Sequence, residues 1–374
     1  MHRTTPSQPP DLFDRDDAPA TVEPLDVDQW LAASLLQKSI RRGLPDLAAR
    51  AAITLWRHRG LRVWHRLAVI AVEDVGIGAV DTIGETVRVA RAMTRSAGKR
   101  STADPIAALV RVVRALAVAV KDRSTDYLAS VAIHDASLAW FRTECLRLPP
   151  AERVAAAVAP DLSLSLQAVA AWTASGFGVD GAVRLDAGDR AGFFRALLDV
   201  GVPRDLVTSS ADAATMTRQP ICLMLPLVWA AWRREGRSTR VIADPTLDTP
   251  SIRDVPAWAF CKFTRAGKAA ISRFAVENDE VRAVLRDFVE ERRAKEAAAM
   301  AAFYVDAALT DRRLDWPRSR ELEGDGRRVD MATVGVPLDG VEPILDVMRA
   351  NYDHLNALRA ETWRAAMSPK GARG

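Results

Sequence analysis

Two adjacent carboxylates, Glu73 and Asp74, are the side chains of this 374-residue sequence that most resemble a general acid–base pair. Such a pair moves protons when both groups reach the same substrate atom. Consecutive side chains on a regular α-helix point about 100° apart, so these two cannot address one atom without distortion of the helix. We therefore predict structural roles: one carboxylate caps the following glycine-containing turn, and the other pairs with an arginine. The glycines concerned are Gly76 and Gly78, and the candidate arginines are Arg41, Arg42 and Arg66.

A second group of residues suits nucleic-acid binding, because cations alternate there with aromatic side chains. The candidate contacts are Trp258, Lys262, Phe263, Arg265, Lys268 and Arg273. On one continuous helix over residues 257–274, the first three cations recur every three positions and would follow a phosphate backbone. The aromatic rings would stack on bases. The same pattern also fits aromatic core residues beside a solvated cationic face, and both interpretations stay open.

Five carboxylates provide an alternative function, a metal-dependent enzyme acting on nucleic acid with its site within residues 240–290. Carboxylate oxygens are ligands that Mg²⁺ prefers, and that ion supports phosphodiester chemistry. Their spacing matches no nuclease pattern, and aspartates in proline-containing loops commonly form turns. We assign no metal ligand. The residues are Asp244, Asp248, Glu277, Asp279 and Glu280.

The motifs of several enzyme classes are not found in the sequence. A phosphate-cradling loop requires GxxxxGK followed by Ser or Thr, whereas the two Gly-Lys pairs occur as Gly98-Lys99-Arg100 and Gly267-Lys268-Ala269. The cysteines Cys145, Cys222 and Cys261 are isolated, which favours neither a disulfide framework nor a zinc site. We therefore expect no cofactor, name no catalytic residue and favour a protein that is not an enzyme.

Composition and charge are those of a protein able to bury a core and to meet anionic partners. Apolar residues make up 49% of the sequence, charged residues 27%, and the formal net charge is +4. The apolar run Ile221–Trp232 is interrupted by Pro226 and is too short to span a bilayer. Residues 1–24 have no apolar segment of the kind a signal peptide needs. These features predict a cytoplasmic protein that does not contact a membrane.

Hydrophobic periodicity predicts a mostly α-helical fold with two domains. Residues 1–27 are expected to be a disordered leader, 28–150 one helical domain, 151–367 a second and mainly helical domain of unknown type, and 368–374 a tail.

Particular residues predict several local features. Gly43 should end one helix and Asp104-Pro105 begin another. A helix is expected over residues 125–147, whereas the four residues Arg240–Ala243 are compatible with a short strand but too few to decide it. Residues 315–340 are predicted to be rich in turns.

Four short blocks of the N-terminal region resemble a known family. They are Lys38-Ser39-Ile40-Arg41, Pro45-Asp46-Leu47-Ala48, Arg66-Leu67 and Ala71-Val72-Glu73-Asp74-Val75-Gly76. In this order and spacing they are similar to the C-terminal helical domain of the MgsA/RarA-type replication-associated AAA+ ATPases. A weaker block, with Lys121, Ser124 and Tyr127, extends the resemblance to residues 33–145.

The resemblance implies a fold and a biological setting without the ATPase activity of the family. It implies a helical domain like a clamp-loader collar, self-assembly into a homo-oligomer, and a part in DNA replication, repair or a mobile element. Because no phosphate loop is present, ATP hydrolysis is not expected. The partners that follow are DNA or a replication protein, and a purely protein-binding scaffold is a further alternative.

Overall fold

Capping residues fix where several helices begin and end. Asp28 accepts a hydrogen bond from the backbone N–H of Trp30 (2.8 Å) and so begins the first helix. That helix stops before Gly43, whose φ of +68° is a left-handed conformation that glycine tolerates. Asp104 caps a later helix, with Pro105 in its first turn. The predictions made for Gly43 and for Asp104-Pro105 are confirmed.

The computed structural model describes residues 22–95, 104–179, 185–236, 238–245 and 247–367. Most of the predicted leader and all of the predicted tail, 368–374, lie outside the described residues. Residues 22–27 are described and contain no helix. Leu25 is buried among them, and its N–H donates to Thr54 Oγ1 (2.8 Å).

The described residues are mostly α-helical, as the periodicity predicts. The helices up to residue 175 are α1 (Gln29–Arg41), α2 (Pro45–Arg59), α3 (Arg62–Ile70), α4 (Val80–Arg95), α5 (Pro105–Val118), α6 (Ser124–His134), α7 (Ala139–Arg147), α8 (Pro150–Ala157) and α9 (Leu164–Ser175). The later helices are α10 (Arg190–Asp199), α11 (Arg204–Thr217), α12 (Ile221–Glu235), α13 (Arg265–Glu277), α14 (Asp279–Phe288), α15 (Ala294–Ala302), α16 (Ser319–Thr333), α17 (Val341–Ala350) and α18 (Tyr352–Met367).

Short elements of other kinds connect these helices. Two π-helical turns occupy Ala71–Val75 and Phe303–Ala307. The 3-10 turns are Gly76–Ala79, Ala136–Leu138, Ala257–Ala259, Glu291–Arg293 and Leu338–Gly340. Two small antiparallel pairs join β1 (Arg240–Ile242) to β4 (Arg313–Asp315) and β2 (Ser251–Ile252) to β3 (Val255–Pro256). The segment at Arg240–Ala243, which the sequence left undecided, forms strand β1 over Arg240–Ile242.

The predicted turns at 315–340 were wrong, because helix α16 occupies most of that segment. Gly324 and Gly326 suggest turns in the sequence, but Gly326 has a packing role within the helix. A Cβ atom at this position would lie 2.6 Å from Tyr127 Cδ1, so the missing side chain lets α16 pack closely on α6.

Two predicted helices are shorter than expected. The helix expected over 125–147 breaks at Asp135, whose carboxylate accepts the N–H of Ser137 (2.9 Å) and starts a new turn. The helix expected over 257–274 begins only at Arg265, because Thr264 caps it by accepting the N–H of Gly267 (3.1 Å).

Buried apolar residues form two large clusters. The first runs from Leu25 to Phe260 in the sequence and includes Trp316, Leu322 and Trp363. The second contains residues between 270 and 358. The first cluster has members on both sides of residue 150, so helices assigned to different domains share one core. A domain boundary at residue 150 stays a prediction.

The described residues contain no helix that is both long enough and apolar enough to cross a bilayer.

Candidate functional site

A pocket of about 660 Å³ brings together the two segments that the sequence singles out. Its walls come from α1, the end of α2, α3, the start of α6 and residues 261–268, with one residue from each π-helical turn and one from α16. The charged and aromatic lining residues are Trp30, Lys38, Arg41, Arg59, Arg62, Arg66, Glu73, Arg123, Asp126, Lys262, Phe263, Lys268, Phe303 and Asp330. Eight of these side chains are cationic and three are acidic.

Helix α1 supplies one wall through a stripe at helical spacing. Five side chains of this helix, spaced three or four positions apart or adjacent, line the pocket: Trp30, Ser34, Gln37, Lys38 and Arg41. The opposite face of the same helix carries leucine and isoleucine side chains into the first core cluster. The core therefore fixes the rotation of α1 and with it the direction of the pocket stripe.

The acid pair lies on the first π-helical turn, which changes the expected geometry. Both carboxylates accept hydrogen bonds from Gln37 Nε2, Glu73 at 2.6 Å and Asp74 at 3.0 Å. The wider turn brings consecutive side chains to one partner, which a regular helix opposes. The sequence argued against such convergence only on an undistorted helix, and the π-helical turn is that distortion. Such turns occur frequently at functional sites.

The predicted pairing of one carboxylate with an arginine is confirmed, whereas the predicted cap is not formed by the other. Asp74 is completely buried and lies 2.7 Å from Arg41 Nε. It also lies 3.3 Å from Arg123 Nε. Glu73 Oε1 is 3.6 Å from Arg41 Nη2. Because each buried charge has an opposite partner, this network is held in one geometry.

The second π-helical turn accepts hydrogen bonds from arginines at the C-terminal end of α1. Arg41 Nη1 donates to the carbonyl oxygen of Ala307 (2.5 Å), and Arg42 Nη2 donates to that of Asp306 (2.5 Å). The Asp306 carboxylate accepts from Arg359 Nη1 (2.6 Å). These bonds attach α1 to the helices that form the second core cluster.

Burial changes the proton affinity of Glu73. Burial, reinforced by the negative charge of Asp74, raises the pKa of Glu73 to about 7. Burial likewise raises the pKa of Asp126, although Arg123 opposes the change. Glu73 is therefore uncharged below neutral pH, and the pocket then carries a larger excess of positive charge.

The remaining residues of the family-like blocks have structural positions around this pocket. Ser39 is buried, and its hydroxyl has no hydrogen-bond partner among the described residues. Arg66 donates to Gln37 Oε1 (2.5 Å) and lines the pocket. Gly76 follows the acid pair with φ +49°. Tyr127 is buried, with Arg123 5.1 Å from the centre of its ring.

Lys38 is a buried cation of the pocket wall, only 4% exposed. Its Nζ donates to Ser34 Oγ (2.7 Å), and Ser34 donates in turn to the carbonyl oxygen of Ala259 (2.7 Å). Cys261 Sγ lies 3.5 Å from the same hydroxyl. Burial lowers the pKa of Lys38. Lys38 thus ties α1 to the start of the second candidate segment.

The residues proposed to bind nucleic acid have different positions. Lys262, Phe263 and Lys268 line the pocket, whereas Arg265 and Arg273 do not. Arg273 is bound by Glu277 and Glu361 on an exposed surface.

Trp258 requires a correction, because it is only 4% exposed and packs in the first core cluster. Its ring is covered by Arg42 at 5.0 Å. Stacking of bases on Trp258 is therefore not supported by the structure, whereas Phe263 of the same segment is exposed.

Two exposed aromatic side chains lie on the wall of the pocket. Phe263 is 62% exposed, and Trp30 is 55% exposed. Lys262 Nζ lies 5.2 Å from the centre of the Phe263 ring and 4.7 Å from that of Phe303. Arg59 lies 5.2 Å from the centre of the Trp30 ring. Each exposed ring is thus next to a cation.

Four of the five carboxylates considered for a metal site have other partners, among them Asp279, which pairs with Arg282 (2.5 Å). Asp244 contacts Arg313 (3.2 Å), Glu277 contacts Arg273 (2.8 Å), and Glu280 accepts from Asn351 (2.8 Å). No group of three or more histidine, cysteine or acidic side chains within the described ranges is arranged to hold a metal ion.

Several pocket residues were not found by sequence reasoning. They are Trp30, Gln37, Arg59, Arg62, Arg123, Asp126, Phe303 and Asp330. Gln37 and Arg123 had a usable signal, since each lies next to or within a family-like block. The others come from separate helices, and their proximity depends on long-range packing.

No family model matches the chain, and no curated protein and no solved structure shows significant similarity to it.

Proposed function

We propose that this chain is a non-catalytic accessory protein of DNA replication, repair or a mobile element, and that it binds DNA through the pocket. The observation that carries the proposal is the arrangement of charge. Within the described part of the chain, six pocket cations have no ion pair with a carboxylate. They are Lys38, Arg59, Arg62, Arg66, Lys262 and Lys268.

Unpaired cations in a concave site attract an anionic ligand. Arg41 and Arg123 both pair with the buried Asp74, and Arg123 also pairs with the partly exposed Asp126, so these two arginines hold the site together. Arg62, Arg66 and Lys268 are exposed and able to meet phosphate groups from solvent. The structure therefore separates cations that hold the site together from cations available to a ligand.

The exposed aromatic rings favour nucleic acid over other polyanions. Phe263 and Trp30 offer flat apolar surfaces beside cations, and bases stack on such rings whatever their identity. A site for simple anions has no need of them. Cations and rings together are the usual elements of a surface that follows a single strand.

The biological setting, self-association and cytoplasmic location rest on sequence. The resemblance over residues 33–145 supports a homo-oligomer and a replication protein as a further partner. Solution mass measured across concentrations tests the oligomer, and a monomer at every concentration would remove it from the proposal.

Charge reversal at two exposed pocket cations tests DNA binding. The double variant Arg62→Glu/Lys268→Glu should bind a labelled single strand roughly tenfold or more weakly at 0.1 M salt, because two phosphate contacts are lost. The slope of log affinity against log salt should fall by about 0.7 for each lost contact. Fluorescence anisotropy measures both quantities.

The matched control is Arg195→Glu/Arg286→Glu, which makes the same charge change on α10 and α14, away from the pocket. Both double variants should melt like the parent protein. Equal weakening by the two would show that only net charge matters and would contradict the proposal. Failure to retain DNA even at low salt would favour a protein-binding scaffold, and cleavage of labelled DNA with Mg²⁺ would show an enzyme instead.

A further inference from the structure

We infer that the pocket holds one nucleoside phosphate unit, with its phosphate among the exposed cations and its base against Phe263. This inference rests on the proposed function and adds a ligand class to it. The unit is either part of a single DNA strand or a free nucleotide. Size, polarity and ring exposure carry the argument.

The size of the pocket suits a single nucleotide. Its volume of about 660 Å³ lies within the range of small-molecule sites. One nucleotide turned out of a single strand is a ligand of the size that such sites hold.

The lining contains hydrogen-bond acceptors that a simple anion cannot use. Glu73, Asp126 and Asp330 face the pocket beside the cations, together with the amide of Gln37. Each already has one partner within the protein, Glu73 with Gln37, Asp126 with Arg123 and Asp330 with Tyr304, and each keeps further lone pairs for a ligand. A nucleobase, unlike a simple anion, presents N–H groups on its edge, which donate to such oxygens. A ligand with one anionic end and one end that donates hydrogen bonds matches both the cations and the acceptors of the lining.

The ring of Phe263 is open to a stacking partner. It meets Phe303 edge-on, with centroids 6.4 Å apart and an interplanar angle of 84°, and it remains 62% exposed. Lys262 lies between the two rings. A base stacked on Phe263 would lie beside Lys262, and the exposed cations Arg62, Arg66 and Lys268 line the same pocket, so both halves of the proposed ligand have a partner there.

Calorimetry with small probes tests the inference. Deoxyadenosine monophosphate should bind with a stoichiometry of one per chain and displace a labelled single strand. Inorganic phosphate and deoxyadenosine should each bind at least about tenfold more weakly, since each lacks one half of the recognised unit. Phe263→Ala should weaken the nucleotide about fivefold to a hundredfold, the effect of losing one stacked base.

The control is Trp140→Ala, which removes an equally exposed aromatic residue outside the pocket and should change nothing.

A circular single strand bound as well as a linear one would identify an internal nucleotide of DNA as the natural unit. Nucleotide binding without DNA binding would keep the inference, with a free nucleotide as ligand, and refute the proposed function. DNA binding that neither the nucleotide nor Phe263→Ala affects would refute the inference alone. Equal affinity for inorganic phosphate and the nucleotide would also refute it.

Discussion

At the scale of the residue, one contact of the acid pair was predictable from the sequence and another was not. The ion pair between Asp74 and Arg41 was predictable, because a carboxylate close to several arginines in a helical region is expected to pair with one of them. The convergence of Glu73 and Asp74 on Gln37 was not predictable. It depends on a π-helical turn, which adds one residue to a helical turn and has no sequence mark of its own.

The raised pKa of Glu73 predicts a pH-dependent affinity for DNA. Between pH 6 and 8 Glu73 loses its proton, so the pocket gains a negative charge and single-strand binding should weaken. Glu73→Gln should remove this part of the pH dependence and bind about threefold more tightly than the parent at pH 8, the effect of one screened charge. Anisotropy titrations at several pH values measure it.

The raised pKa of Glu73 also makes the free energy of unfolding depend on pH. The folded pKa lies above the ordinary value of 4.5, so the contribution of Glu73 is fully present below pH 4.5 and is lost as pH rises through about 7. Glu73→Gln should therefore gain stability relative to the parent between pH 5 and pH 8. The control Glu144→Gln, at an exposed carboxylate, should follow the parent. A parallel pH profile for Glu73→Gln would contradict the assigned proton.

At the scale of the element, a helix start was predictable where an apolar stripe and a cap agree, as at Asp104. Helix α16 was missed because Gly324 and Gly326 read as turn residues, although Gly326 packs on Tyr127. The start of α13 had a local signal in Thr264, which a longer aromatic pattern obscured. Local chemistry thus marks the ends of elements better than composition does.

Gly76 packs directly against the backbone of Asp122, so its substitution should destabilise the fold. A Cβ at Gly76 would lie 2.3 Å from the carbonyl oxygen of Asp122, and φ is +49°. Gly76→Ala should lower the free energy of unfolding by more than the roughly 1–3 kcal/mol of backbone strain alone. Denaturant titration measures the change.

Gly60 offers a matched control for this prediction. Its φ of +55° and ψ of −136° are close to the +49° and −143° of Gly76, but a Cβ at Gly60 would have no neighbouring atom within 4 Å among the described residues. Gly60→Ala therefore measures backbone strain without the clash. Equal losses in the two variants would show that contact with Asp122 is unimportant.

At the scale of the whole molecule, the pocket forms because distant parts of the chain meet. Ser34 donates to the carbonyl of Ala259, 225 positions away in the sequence. Sequence reasoning identified both segments separately, through family-like blocks and through alternating cations and rings. Their meeting could not be predicted, because it depends on long-range packing within the first core cluster and not on any local pattern.

Crosslinking of bound DNA tests the central claim most directly. A single strand carrying a photoreactive uracil would be bound at saturation, irradiated, and the crosslinked peptides identified by mass spectrometry. Crosslinks should occur at Trp30 and Phe263, the exposed rings of the pocket. Crosslinks confined to peptides outside the pocket, such as the one containing the exposed Trp140, would contradict the account.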